Sequence, residues 1–245
     1  MDDSIHYIHN TTTHNTTAAE AFLPILFEKT GLPHSVVDVG CGIGTWLSVF
    51  KKLGVQKILG IDGDNVDVAQ LHIDRLEFKI ANLVQPLALD ERYGLAVCLE
   101  VAEHLPAEAA DTLVESLCGL SDTILFSAAL PKQGGQNHIN EQYFDYWRKK
   151  FNARGYLFED TFRSSIWNDE RIDSWYRQNM FLVKKIGNGP LSQPSVDTYY
   201  HPEIFAHKAK IHESAVAATR RLADGELRIP SAGKILLKSI LRSFK

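Results

Sequence analysis

Two sets of residues in this sequence have types and spacings that could do chemistry. The first is Asp38, then Gly40, Cys41, Gly42 and Gly44, with Thr45 and Trp46 directly behind and Asp62 and Gly63 about twenty residues on. Glycines so spaced let a backbone take positive φ and approach a ligand that a Cβ would hold off. An acid at Asp62 has the spacing of a carboxylate that reaches a ribose. A nucleoside-containing cofactor is expected. A pyrophosphate cradle would read G-x-G-x-x-G, but here the third glycine comes one residue early. Asp38, just before the turn, would repel a pyrophosphate and suits a cationic ligand instead. The second set is Glu100, Val101, Glu103 and His104 in one short phrase, with His138 further along. Imidazole takes up a proton near neutrality, so either histidine could act as a general base.

The elements that must position these groups alternate. An apolar strand, Val36 to Val39, runs into the glycine loop, and a helix follows whose apolar side is Trp46, Leu47, Val49, Phe50 and Leu53. A strand over 57–61 delivers Asp62. A third strand over 76–83 ends at Asn82 and Leu83, and a fourth over 94–99 exits into Glu100. A helix over 107–120 leads to a fifth strand over 123–127, which delivers the Gly-Gly-Gln-Asn loop carrying His138. A helix over 140–153 and strands over 155–159 and 180–184 complete the series, and a helix over 18–29 precedes it. Such alternation predicts right-handed βαβ units, a mainly parallel sheet covered on both faces, and ligands at the carboxyl ends of the strands.

Asp38-Val39-Gly40-Cys41-Gly42-Ile43-Gly44 resembles motif I of the class I S-adenosylmethionine (SAM) dependent methyltransferases, in which the acid before the glycines helps hold the methionine end. SAM carries a sulfonium and an α-ammonium and no phosphate. The phrase Glu100-Val101-Ala102-Glu103-His104-Leu105 is common among members acting on small molecules and sugars. The segment from Gly134 to Phe144, with Trp147 and Phe151, resembles enzymes of sugar and polysaccharide tailoring. The resemblance covers roughly residues 14–186. It implies an α/β, Rossmann-like, doubly wound seven-stranded sheet, mostly parallel with one antiparallel strand. It implies SAM as cofactor, held by Asp38, Gly40, Cys41, Gly42, Gly44, Thr45, Trp46, Asp62, Gly63, Asn82, Leu83, Glu100 and Val101. Asn82 stands where the family often has an Asp for the adenine amino group; its carbonyl can still accept that hydrogen bond.

His138 is the first choice for a base that deprotonates an acceptor hydroxyl; the alternative is a loop-ordering histidine. His104 is its rival, with a structural or cofactor-contact role the favoured alternative. Glu103, Tyr143, Trp167, Arg171 and Trp175 are the candidate substrate contacts. Tyr143 and Trp147 have an alternative as core residues, and Arg163, Arg171 and Arg177 could meet a phosphate or be solvated. Convergence of Glu100, Glu103, His104 and His138 on a divalent ion is conceivable, but no spacing such as H-E-x-x-H supports it, and no metal is expected. Tyr7, His9, His14 and Asn15 could fold over the cofactor or form a mobile arm.

The acceptor is expected to be a small molecule, with a sugar or glycan hydroxyl leading. Transfer to nitrogen or carbon, a nicotinamide dehydrogenase and a non-catalytic SAM-binding scaffold remain as rivals. A net charge of −4 argues against a nucleic-acid partner. The three cysteines lack C-x-x-C spacing, and no signal peptide or membrane span is legible, so a cytoplasmic enzyme is expected. Residues 1–186 are assigned to the enzyme domain and 187–245 to a linker and helical extension. Its tail, Lys234 to Lys245, has Leu237, Ile240, Leu241 and Phe244 on one helical face and basic residues on another. That pattern suits an anionic membrane surface or packing on this domain or a second subunit.

Overall fold

Val36-Val37-Asp38-Val39 is apolar on both sides apart from Asp38, as a strand covered on two faces must be. In the computed structural model, which describes residues 15–224, this run lies in β1 (Ser35–Val39) at the middle of the sheet. The other strands are β2 (Lys57–Asp62), β3 (Phe78–Ile80), β4 (Leu95–Leu99), β5 (Thr123–Ser127), β6 (Tyr156–Glu159) and β7 (Phe181–Lys185). Their order is β3-β2-β1-β4-β5-β7-β6. All pairings are parallel except those of β7, which runs antiparallel to both β5 and β6. The expected seven-stranded sheet with one antiparallel strand is therefore the one observed.

Helices cover both faces. On one lie α1 (Thr17–Thr30) and α2 (Thr45–Lys52), packing Phe22, Leu26, Leu47 and Phe50 on β1 and β2. On the other lie α3 (Ala110–Leu120) and α4 (Phe144–Asn152), packing Leu113, Leu117, Trp147 and Phe151 around Phe126 of β5. Each such fully buried side chain contributes roughly 1.5–3 kcal/mol. Two short helices, α5 (Arg163–Ile166) and α6 (Ser174–Asn179), fill the connection from β6 to β7.

Three boundaries differ from the sequence reading. The third strand shrinks to Phe78–Ile80, because Asp74 and Glu77 form a capping box that turns residues 75–77 into a 3-10 helix. Residues 107–109 form a 3-10 turn after Pro106, so α3 starts at Ala110. The helix expected from 140 starts at Phe144, since the amides of Ile139 and Asn140 instead donate to the Glu103 carbonyl at 2.9 and 3.0 Å.

The chain divides into compact units after His201, beyond residue 186. Residues 187–201 have no regular structure but are fastened along the first unit by hydrogen bonds. Gln193 accepts from Arg148 and Asn152 and donates to the Phe158 carbonyl, and the Asp197 carbonyl accepts from Arg163 at 2.9 Å. Arg163 is fully buried, with Phe144, Phe181 and Tyr199 rings around its guanidinium at 4.8, 4.6 and 4.2 Å. The second unit opens with α7 (Pro202–Ala223), within the stretch assigned to the helical extension. Tyr7, His9, His14 and the basic tail from Lys234 lie outside the described residues.

Candidate active site

β1 ends in the glycine loop. Gly40 takes φ 82°, and a Cβ there would overlap the Val101 side chain. The loop can therefore close on the end of β4 only with glycine at this position. Asp62 ties the loop to β2: its Oδ2 accepts from the Gly42 amide at 2.7 Å and its Oδ1 from the Gly63 amide at 2.6 Å. Cys41, Thr45, Trp46 and Leu83 are all buried, and Asn82 is exposed, its Oδ1 accepting from the Val84 amide.

Acid groups gather at this edge. Asp38 is buried on β1, and its carboxyl is pushed up to about 8, first by burial and then by the charge of Asp62. The buried Cys98 thiol, at the end of β4, is raised well above its ordinary value by burial and then by the charges of Asp38, Glu103, Asp62 and Glu100 together. Asp38, Asp62, Glu100 and Glu103 thus gather at the carboxyl ends of the neighbouring strands β1, β2 and β4. A cation fits that donor set and a pyrophosphate does not.

Glu100 follows β4 with φ 54°, an unusual conformation for a non-glycine residue. Its amide donates to the carbonyl and hydroxyl oxygens of Ser127 at 3.1 and 3.0 Å. Its carboxylate accepts from Asn179 and Gln133. Glu103 is fully buried; Oε1 accepts from the Ala129 amide, and Oε2 has no donor. Burial, and then the Glu100 charge, raise the Glu103 carboxyl well above its ordinary value.

The two candidate histidines meet: the rings of His104 and His138 lie edge to face with centroids 4.9 Å apart. His138 Nδ1 is 2.9 Å from Glu141 Oε1. Glu141 also accepts from the amides of Gly134 at 2.5 Å and Lys132 at 2.6 Å. Burial raises the Glu141 carboxyl, but His138 and these amides outweigh it and hold the group below its ordinary value. A Cβ on Gly135 would overlap the His138 ring at Nε2, so the ring can lie against this segment only because residue 135 is glycine. His104 is depressed to about 4 by burial and the His138 charge, and its Nδ1 lies 3.4 Å from the Asn137 carbonyl. Glu103, His104 and His138 each offer a ligand atom, all within 4.8 Å of one another.

The connection from β6 to β7 caps the edge. Tyr176 packs edge-on against Trp46 at 5.2 Å, joining α6 to the start of α2. Trp175 contacts Tyr176, and Tyr143 is largely exposed beside the His138 loop. Trp167 packs on His201 and Tyr199, inside the cap. Arg163 and Arg177 are buried, and their guanidinium groups donate to protein carbonyls, which removes them as phosphate contacts. Arg171 stays exposed and pairs with Asp169 at 2.6 Å. Glu141, Gln133, Gln178 and Asn179 were not anticipated as site residues. Only Glu141 had a local signal, lying three residues after His138.

Fold and site together define a class I SAM-dependent methyltransferase domain. A family model described as a methyltransferase domain matches residues 11–179, and the chain belongs to that family. Among curated proteins, the ubiquinone biosynthesis O-methyltransferase of Nitrobacter winogradskyi is 31% identical over 75 residues, which is 29% of this chain and 28% of that protein. The Rhodopseudomonas palustris (strain BisB5) protein of the same name is 33% identical over 75 residues, 29% of each chain. The match thus spans under a third of these relatives. Among solved structures, magnesium protoporphyrin IX methyltransferase from Synechocystis PCC 6803, with bound SAM, is 18% identical with a TM-score of 0.52, covering 74% of this chain and 88% of that one. The methyltransferase domain of bacterial CtHen1-C is 19% identical with a TM-score of 0.52, covering 70% and 98%.

Proposed function

We propose that this chain transfers the methyl group of SAM to a hydroxyl of a small molecule, with sugar or glycan intermediates as the first acceptor class. The observation that carries the reading is His138, held through Nδ1 by Glu141 beside four clustered carboxyl groups. Relatives named O-methyltransferases support a hydroxyl acceptor, and the segment from Gly134 to Phe151 supports the sugar class.

Bound SAM would supply an electrophilic methyl carbon and a neutral leaving group. The chain's residues supply alignment and proton removal. Asp38 and Glu100 present negative charge to the cationic end, while the glycine loop and Asp62 lie along the nucleoside. With a proton on Nδ1 shared with Glu141, His138 keeps a lone pair on Nε2 and can take the acceptor's hydroxyl proton. Tyr143 and Trp175 flank the acceptor side. Calorimetric titration with SAM and with its demethylated product, S-adenosylhomocysteine (SAH), followed by acceptor screening, tests this. Binding of neither by folded protein overturns it.

A second reading has an observation of its own. Glu103, His104 and His138 form an oxygen and nitrogen donor set, and Glu103 Oε2 is buried without a donor. A divalent ion on these three groups would acidify the acceptor hydroxyl, and the two histidines would then serve as ligands.

A further inference from the structure

Three carboxamides link Glu100 to segments far away in sequence. The backbone amide of His201 donates to Gln178 Oε1 at 2.6 Å. Gln178 Nε2 donates to Gln133 Oε1 and to Asn179 Oδ1, both at 2.9 Å. Asn179 Nδ2 donates to both Glu100 carboxylate oxygens, at 3.1 and 3.2 Å, and to Gln133 Oε1 at 3.0 Å. Gln133 Nε2 donates to Glu100 Oε2 at 3.2 Å. The His201 end fixes the polarity. A backbone N–H can only donate, so Gln178 must turn its oxygen toward His201 and its NH₂ group toward the oxygens of Gln133 and Asn179, which leaves their NH₂ groups for Glu100.

Gln178 and Asn179 are fully buried. Apolar residues would fill the volume without desolvating polar groups. The arrangement makes sense as a clamp on Glu100. That residue is held in a strained backbone conformation directly before Val101, which fills the space Gly40 leaves open. Its carboxylate follows β4, the strand beside β1, and so belongs to the sheet edge that carries the glycine loop.

We propose that Asn179, assisted by Gln133, is a positioning residue that holds the Glu100 carboxylate toward the sulfonium and thereby favours SAM over the neutral SAH. The proposal rests on the methyltransferase reading above. The cap and the irregular segment ending at His201 complete the clamp, so part of the cofactor site's discrimination is built by residues outside the glycine loop.

The test is calorimetric titration of the full chain with SAM and separately with SAH, for wild type, Asn179→Leu, Glu100→Gln and the double variant. Asn179→Leu should weaken SAM about tenfold, the size expected when a hydrogen bond to a charged group is lost, and change SAH much less. Glu100→Gln should do the same. In that background Asn179→Leu should have little further effect, because Asn179 acts through Glu100. Equal weakening of both ligands by Asn179→Leu, or additive losses in the double variant, would overturn the proposal and leave Asn179 a structural residue. If Asn179→Leu does not fold, Gln133→Met at its half-buried position carries the same comparison. Wild-type protein that binds neither ligand would instead overturn the methyltransferase reading itself.

Discussion

His104 and His138 meet edge to face at 4.9 Å, yet their surroundings drive them apart chemically. His104 is pressed down to about 4 by burial and by the charge of its neighbour, so it stays neutral at pH 7. His138 has the Glu141 carboxylate 2.9 Å from Nδ1, which fixes the ring. Of the two adjacent imidazoles, the one anchored by a carboxylate suits the proton-accepting role and the other stays uncharged beside it.

Removal of the base separates binding from chemistry. His138→Ala should lower turnover by about 10²–10⁴-fold while leaving SAM affinity within a few-fold of wild type. Glu141→Gln should lower turnover by at least about tenfold, a part of the same effect, since His138 loses the partner that orients it. Steady-state rates alongside calorimetric SAM titration check both. Near wild-type turnover in folded His138→Ala would remove the base assignment and favour a nitrogen acceptor, which needs no strong base.

The metal reading differs from the base reading in its response to chelation. With His138 as base, turnover after EDTA treatment and desalting should stay within about threefold of untreated protein, well short of the effect expected from losing a catalytic ion. A larger loss, restored by Mg²⁺ or Zn²⁺ and absent in His104→Ala, would move Glu103, His104 and His138 to the role of ligands.

The cofactor half of the site was legible because its signals are local. Asp38, the glycines and Asp62 sit within one βαβ unit, where spacing along the chain fixes position in space. Strand order beyond that unit followed from the family resemblance, and the starts of β3 and α4 were misjudged where capping at Asp74 and the anchoring of Ile139 and Asn140 to Glu103 overrode periodicity. The acid clamp was not legible. Asn179 lies 79 residues from Glu100, and no local pattern marks two carboxamides as partners of a remote carboxylate. The arginines failed for a related reason: a guanidinium that looks free in sequence, such as Arg163, is enclosed by rings contributed from α4, β7 and residue 199.

Arg163 therefore belongs to stability. It is fully buried, while its partner Asp160 is partly in water at 2.6 Å. Arg163→Leu should destabilise the protein by about 3 kcal/mol, the low end for a broken buried pair, because the remaining acid stays solvated. The midpoint of thermal unfolding should fall by about 6–12 °C. A shift below about 2 °C in a thermal melt would show that the ring cage contributes little.

Asp38 gives the sharpest pH signature. Its carboxyl is raised from 3.8 to about 8 by burial and by Asp62, so the free protein holds a proton there at pH 7. A cation placed beside it draws the value down and expels that proton. SAM affinity should therefore rise with pH and level off above about 8. Stability moves the other way. Unfolded Asp38 ionises near 3.8 and folded Asp38 only near 8, so the free protein loses stability across that interval as pH rises. Saturation with SAM should flatten this decline. Calorimetric titrations at pH 7 in buffers of different ionisation enthalpy count the protons released. Wild type should release more than Asp38→Asn, with the titration of the ligand's own ammonium common to both. Equal proton release by the two proteins would mean that Asp38 is already ionised in the free site, and the cation would then be recognised by a preformed charge and not by one that its own arrival creates.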